Sequence, residues 1–223
     1  MNKTKIEWCD YTWNPVVGCS AISAGCRNCY AKEMALRFDF PWGFPVFMPD
    51  RLGQPGRVKT PSRIFVCSMS DLFHENLDNR VIARVFDVMR ENPRHTFMLL
   101  TKRAGRMRSF VRGYGSVLPN VWLGVTAENQ HIADRRIPIL IDTPAAVRFA
   151  SVEPMLEAMH LPSISELDWV IAGPETGSRA RPCKDRWISW LAADCEIFGV
   201  PFFDKRKHDW LRREWPIQNR DDE

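Results

Sequence analysis

Three cysteines fall within the stretch GCSAISAGCRNCY, residues 18–30: Cys19, six residues, Cys26, two residues, Cys29. Thiolates act as nucleophiles, redox groups and soft metal ligands. Three chemistries compete for this spacing. A structural zinc ion closes its tetrahedron with four N/S ligands, and Cys9 would supply the fourth thiolate. A redox CxxC pair opens a helix in a thioredoxin-like fold and leaves the third cysteine unexplained. An iron–sulfur cube held by three protein thiolates keeps its fourth iron open. The open iron can chelate the amino and carboxylate groups of S-adenosylmethionine, and an electron from the cluster then cleaves the S–C5′ bond to give a hydrogen-abstracting radical. The usual spacing for that chemistry is CxxxCxxC, so the longer first interval here departs from it. Tyr30, directly after the CxxC pair, would bring a ring close to the cofactor.

The elements that must position this loop follow from periodicity. Residues 29–38 predict a short helix. Residues 39–62 are rich in Pro and Gly, carry Trp42, Phe44 and Phe47, and predict an irregular insertion, either a lid or a wrapped segment plugging the core. Beyond residue 62 the pattern becomes regular. Strands are predicted at 63–67, 96–101, 120–126, 146–151, 168–173 and 200–204, with a short one at 5–8. Helices are predicted at 79–92, 102–112, 129–141 and 184–199, with Pro138 disturbing the end of the third and Gly199 ending the last. Strands alternating with helices, and strands that are near-continuous apolar runs, imply parallel βα units covered on both faces. The expected fold is α/β: parallel βα repeats forming a partial or complete TIM-like barrel, with an open doubly wound sheet as the competing arrangement. No GxGxxG or Walker-type loop follows any strand.

In such folds the site lies at the C-terminal strand ends. Polar groups follow nearly every predicted strand: Ser68, Ser70, Asp71, His74 and Glu75; Thr101 and Lys102; Thr126, Glu128 and Asn129; Ser151 and Glu153; Glu175 and Thr176; Lys205. Taken singly, each could equally cap a helix; as a set they describe a polar ligand site.

The chain has 223 residues, a net charge of +4 and 45% apolar content, enough for one domain spanning 1–223 with a substantial core. Within it we distinguish a cysteine loop at 14–30, the insertion at 39–62, βα repeats over 63–204 and a basic tail at 205–223. No apolar run is long enough for a membrane span and no secretory h-region opens the chain, so a cytoplasmic location is expected. Cys67 and Cys195 read as small core residues. The segments TKRAGRMRSFVR (101–112) and DKRKHDWLRREW (204–215) mix Lys and Arg with Phe and Trp, as a nucleic-acid surface or a solvated helix face would.

Several stretches together carry a family resemblance: IEWCDYTWNPVVGC, GCRNCYA, SMSDLFHE, HTFMLLTKR, NVWLGVTAENQ, ADRRIPIL, RFASVEP, DWVIAGPETG and GVPFFDK. Through them the chain resembles the phage-type three-cysteine-motif, radical-SAM-like proteins over nearly its whole length. The resemblance implies a partial or complete TIM barrel, a [4Fe–4S] cluster on Cys19, Cys26 and Cys29, and S-adenosylmethionine at the strand ends, with an external electron donor. The cofactor would meet Tyr30, Ser68, Ser70, Asp71 and Glu153, acids taking its ammonium and hydroxyls its carboxylate and ribose. Glu128, Glu175 and Lys205 would meet substrate. By analogy with phage pathways that decorate thymidine, the substrate would be DNA carrying a modified base, and the step the isomerisation of N-linked glycinyl-thymidine to a Cα-linked form; a glycyl Cα–H gives a stabilised radical and has no easy polar route. The chain departs from the family at AGPETG, where Gly-Gly-Glu-Ser-Gly is usual, and at FFDKRKHDW, where an aromatic, Lys, Gln, Trp and Gly are usual. Glu175 and Lys205 still match. Two rival readings stand beside this one: a zinc-stabilised nucleic-acid-binding protein without catalysis, and a degenerate barrel that keeps a cluster for structure or electron transfer.

Overall fold

The computed structural model describes residues 1–206 and 212–216. Lys207 and Trp210 of the basic tail, and the closing RDDE, lie outside the described residues. In chain order the elements are β1 (Asn2–Lys3), β2 (Tyr11–Trp13), β3 (Val16–Val17), α1 (Tyr30–Arg37), β4 (Val46–Phe47), β5 (Arg63–Val66), α2 (Asn79–Arg90), β6 (Thr96–Thr101), α3 (Ala104–Tyr114), β7 (Val121–Thr126), α4 (Gln130–Ile141), β8 (Val147–Val152), β9 (Trp169–Ala172), α5 (Asp185–Ile197) and β10 (Phe202–Asp204).

Eight strands form one sheet in the order β1-β2-β5-β6-β7-β8-β9-β10. Every neighbouring pair is parallel except β1–β2. The parallel strands therefore lie side by side in chain order, as successive βα units do. The β8–β9 crossover is the exception in content: it carries a single 310 turn, Ile164–Glu166, and no α-helix.

Alternation divides each strand between two apolar layers. Ile64, Val66, Leu99, Leu123, Val125, Ala150 and Val170 face the helices and pack with Ile82, Phe86, Met107, Ile137 and Leu191. The opposite phase, Phe65, Met98, Trp122, Phe149, Trp169 and Phe203, forms a second cluster with Trp8 and Cys9. Trp8 shows that the sheet curls toward this second layer. Its ring lies 4.8 Å from Phe65 on β5 and 6.4 Å from Trp169 on β9. In a flat sheet those strands would stand about 19 Å apart, four spacings of roughly 4.8 Å. No strand pairing joins β10 to β1 or β2 among the described residues. That side is spanned by side chains instead: Trp215 Nε1 donates to Trp8 O at 3.4 Å, and Arg213 pairs with Glu7 at 3.0 Å.

Three expectations need correction. Residues 5–8 form no strand; the first parallel strand is Tyr11–Trp13, because Trp8 turns inward to cap the aromatic layer. Pro138 sits inside α4, which runs on to Ile141. Its ring faces outward, so the carbonyl it leaves without a donor one turn back can meet water. The basic stretch after β6 is a network of internal pairs: Arg103 is buried, Arg106 donates to Glu75 O, and Arg108 and Arg112 hold Asp142. The 39–62 insertion folds back on the cysteine loop through the antiparallel β3–β4 pair and through Gly43 N, which donates to Cys19 O at 2.9 Å.

Candidate functional site

The cysteine loop lies across the C-terminal ends of the strands, and it is fastened there residue by residue. Gly18 N donates to Met69 O at 3.1 Å, and Ser70 Oγ returns a bond to Gly18 O at 2.5 Å. Gly18 has φ +82°, and a Cβ there would meet Phe44 O at 2.2 Å, so only glycine fits. Beyond β6, Arg103 reaches Ser20 O at 3.2 Å and Ser20 Oγ at 3.0 Å. Beyond β7, Glu128 Oε1 accepts from Gly25 N at 3.1 Å. Beyond β9, Glu175 accepts from Asn28 Nδ2 at 3.0 Å, and its partner Arg181 reaches Ala24 O at 3.0 Å. Tyr30 OH donates to Ser68 O beyond β5 at 2.7 Å.

This accounts for most of the predicted site residues, in a role the sequence did not show. Ser70, Glu128 and Glu175 bind the cysteine loop directly, and Tyr30 ties its end to Ser68 O. Ser68 exchanges bonds with Asn14 at 3.2 Å. Asp71 is buried, with donors from Phe73 N, Thr101 Oγ1, Lys102 N and Arg103. Glu153 and Lys205, expected to serve different ligands, form an ion pair with each other. The pair packs directly on Gly173, where a Cβ would stand 2.9 Å from Lys205 Cβ and 3.4 Å from Glu153 Oε1.

All three loop cysteines are free and half-buried. Burial pushes the Cys19 thiol up to about 11; Asp71, Cys26 and Cys29 add to the shift and Arg103 opposes it. All three cysteines belong to the one loop that crosses the strand ends. Cys26 Sγ lies 4.0 Å from Ser23 Oγ, and Cys29 is the N-cap residue of α1. Arg103, which the sequence reading missed as a site residue, is the central cation: it pairs with Asp71 at 3.1 Å and with Glu75, and lies 3.9 Å from Cys19 Sγ. A KR dipeptide directly after a strand was the available signal.

Among the described residues, no group of three or more His, Cys, Asp or Glu side chains stands ready to hold a single metal ion. Four thiolates around zinc would sit about 3.8 Å apart, given Zn–S near 2.3 Å; an iron–sulfur cube spreads its thiolates wider. A fourth ligand for a single ion is also hard to find. Cys9 packs among Trp8 and Phe65, and burial pushes its thiol up to about 12. His74 has both ring nitrogens engaged, with Ser20 Oγ at 2.8 Å and Asn76 N at 3.1 Å. Cys67 and Cys195 are buried core residues, as expected.

Glu128 and Glu175 are held ionised by dedicated partners. Burial works against the Glu128 charge, but Arg136 at 3.0 Å and the loop hydrogen bonds outweigh it, so its carboxyl lies below the usual range. Arg181 lowers Glu175 to about 2.

Fold and site together define an α/β protein whose curled parallel sheet displays a three-thiol loop above its strand ends. The chain belongs to the DUF5131 family, described as proteins of unknown function, which it matches over residues 3–222. No curated protein and no solved structure matches it. Among the described residues no helix is long and apolar enough to cross a membrane.

Proposed function

We propose that this protein is a radical S-adenosylmethionine enzyme, with a [4Fe–4S] cluster on Cys19, Cys26 and Cys29 and the curled sheet serving as a partial TIM-like barrel. The observation that carries the reading is the donor set: three free thiols on one loop over the strand ends, with Cys9 and His74, the fourth candidates among the described residues, committed elsewhere. Three protein thiolates suit a cube with one open iron better than a closed tetrahedral zinc site.

When bound, the cluster and cofactor supply an organic radical that abstracts hydrogen. The chain's own residues do the rest. Arg103 holds the Cys19 end of the loop and places positive charge beside its sulfur. Hydrogen bonds to cluster sulfurs tune the reduction potential. Ser70 fixes the same end through Gly18 O, and Tyr30, bonded to Ser68 O beyond β5, fixes the other end. The aromatic layer under the site excludes water from below, which protects a reactive intermediate from side reactions. The Glu153–Lys205 pair lies on the floor between loop and aromatic layer, where substrate would sit. The substrate we carry forward, on the family resemblance alone, is glycinyl-thymidine in DNA, isomerised from its N-linked to its Cα-linked form in a cytoplasmic setting with an external electron donor.

The test is anaerobic reconstitution with iron and sulfide, metal analysis, and EPR of the reduced protein with and without S-adenosylmethionine. Four irons per chain, and a signal that shifts on adding the cofactor, are expected. Alanine at Cys19, Cys26 or Cys29 should abolish that signal, whereas Cys9→Ala should keep it. One tight zinc per chain without iron would overturn the reading in favour of a metal-stapled binding protein. A cluster indifferent to the cofactor would leave a structural or electron-transfer role.

A further inference from the structure

We infer that Lys102 is the seat of an oxyanion, a carboxylate or phosphate, of the ligand that occupies the concave face. This names the ligand chemistry of the same site; it rests on that site being the binding site, and not on the cluster.

The argument is a charge count at the strand ends. Asp71 and Glu75 are taken by Arg103, Glu128 by Arg136, Glu153 by Lys205, Glu175 by Arg181, and Asp204 by Arg206. None of these acids is left over for a ligand's ammonium. Four cations lie directly after strands β6 and β10: Lys102, Arg103, Lys205 and Arg206. Three of them have carboxylate partners. Among the described residues Lys102 has none in salt-bridge contact; its Nζ reaches Thr126 Oγ1, at 3.4 Å. Glu128 feels the Lys102 charge at longer range, but both its oxygens are committed, Oε1 to Gly25 N and Oε2 to Arg136.

Position makes the spare charge significant. Thr126 is buried and shares the phase of Trp122, so the Lys102 ammonium lies over the concave face, half-buried below the cysteine loop. Any ligand seated between loop and aromatic layer strips water from that ammonium. Covering an unpaired charge costs several kcal/mol unless the ligand supplies the counter-charge. A neutral or cationic ligand is therefore disfavoured, and one presenting an oxyanion is selected. The Lys102 main chain is independently anchored, because its N–H holds Asp71 Oδ2 at 3.1 Å, so the side chain can be changed without releasing that bond.

The test uses the full chain, anaerobic and without added metal, with ε-carbon-labelled lysine followed by NMR. The Lys102 resonance is identified by its loss in Lys102→Met. Inorganic phosphate and acetate are titrated at constant ionic strength, so that general screening is held fixed. A saturable shift of Lys102 with either anion is expected. Lys102→Met should weaken anion binding, measured calorimetrically, by about ten- to a hundredfold, the loss of one charge-assisted bond, and Lys102→Arg should restore most of it. The absence of a saturable shift with both anions, or equal affinity in Lys102→Met, would overturn the inference. Displacement by S-adenosylhomocysteine but not by 5′-methylthioadenosine, which lacks the carboxylate, would assign the seat to a cofactor carboxylate. Displacement by a nucleoside monophosphate alone would assign it to a substrate phosphate. Failure of the radical reading would appear in the iron content and EPR and would leave this titration unchanged.

Discussion

The concave face has two halves built on the same strands. Low on the sheet its phase reads Met98, Trp122, Phe149, Trp169 and Phe203; a few residues later the same phase reads Lys102, Thr126, Ser151, Glu153, Gly173 and Lys205. The lower half is filled by rings, with Trp169 at 5.9 Å from Trp122, 5.6 Å from Phe149 and 6.2 Å from Phe203. The upper half has small side chains and charges, and its roof is a loop. Alternation alone puts both sets on one face. The difference is that the lower half gains its stability from burial of rings, while the upper half sets polar and charged groups beneath the loop.

That division can be broken from either side. The largest effect on stability is expected from the lower half. Trp169→Ala removes the ring that meets four other aromatics and also its bond to Glu214 O. It should cost about 3–5 kcal/mol in denaturant unfolding, while the protein that remains folded keeps its three thiols titratable. A loss below 1 kcal/mol would mean that the layer is not a packed core. Arg103→Met comes next at about 3 kcal/mol, because a buried pair with Asp71 is broken although Asp71 keeps three other donors. Stability unchanged in this variant would show that the loop does not depend on its central cation.

Gly124 lies at the boundary between the halves, where a Cβ would stand 2.4 Å from the Phe149 ring. Gly124→Ala should cost about 1–3 kcal/mol from overpacking. Phe149→Leu in the same chain should relieve part of that cost, so a double-mutant cycle should show coupling; strict additivity would break the assignment. The smallest effect is one of pH. Glu175 titrates near 2 rather than at its ordinary 4.5. Its depressed value contributes stability that is fully present above pH 4.5 and is lost as pH falls toward 2. Hydrogen exchange of residues 24–28 should therefore report looser attachment of the loop through that window. Glu175→Gln should remove the pH dependence, and an unaltered profile would show that the Glu175–Arg181 clip does not govern the loop.

How far the sequence could be read differs between elements. The strand at 96–101 was legible to the residue, because TFMLLT is an apolar β-prone run between a helix and a basic turn. The strand at Tyr11–Trp13 was not, since three residues carry no period and KIEW looked more strand-like. The three cysteines announced themselves by type and spacing. The strand-end acids were found as a set, but their partners were invisible: nothing in one dimension shows that Glu153 meets Lys205, 52 positions later, or that Glu128 meets Gly25, 103 positions earlier. Arg103 was read as part of a basic surface because the pattern KRAGRMR records charge and says nothing of burial.

By itself the sequence determined the local grammar of this protein: the apolar runs that become strands, the periodic faces of α2 to α5 and the chemical identity of the three thiols. These follow from sterics, periodicity and side-chain type, which are properties of neighbours in the chain. Only the tertiary structure decided which acids are already neutralised, which aromatic rings meet across the curled sheet, and that, among the described residues, Lys102 is the cation directly after β6 or β10 without a carboxylate in contact. The reason is that pair energies depend on distance and desolvation, and both are set by folding segments tens of residues apart onto the same strand ends.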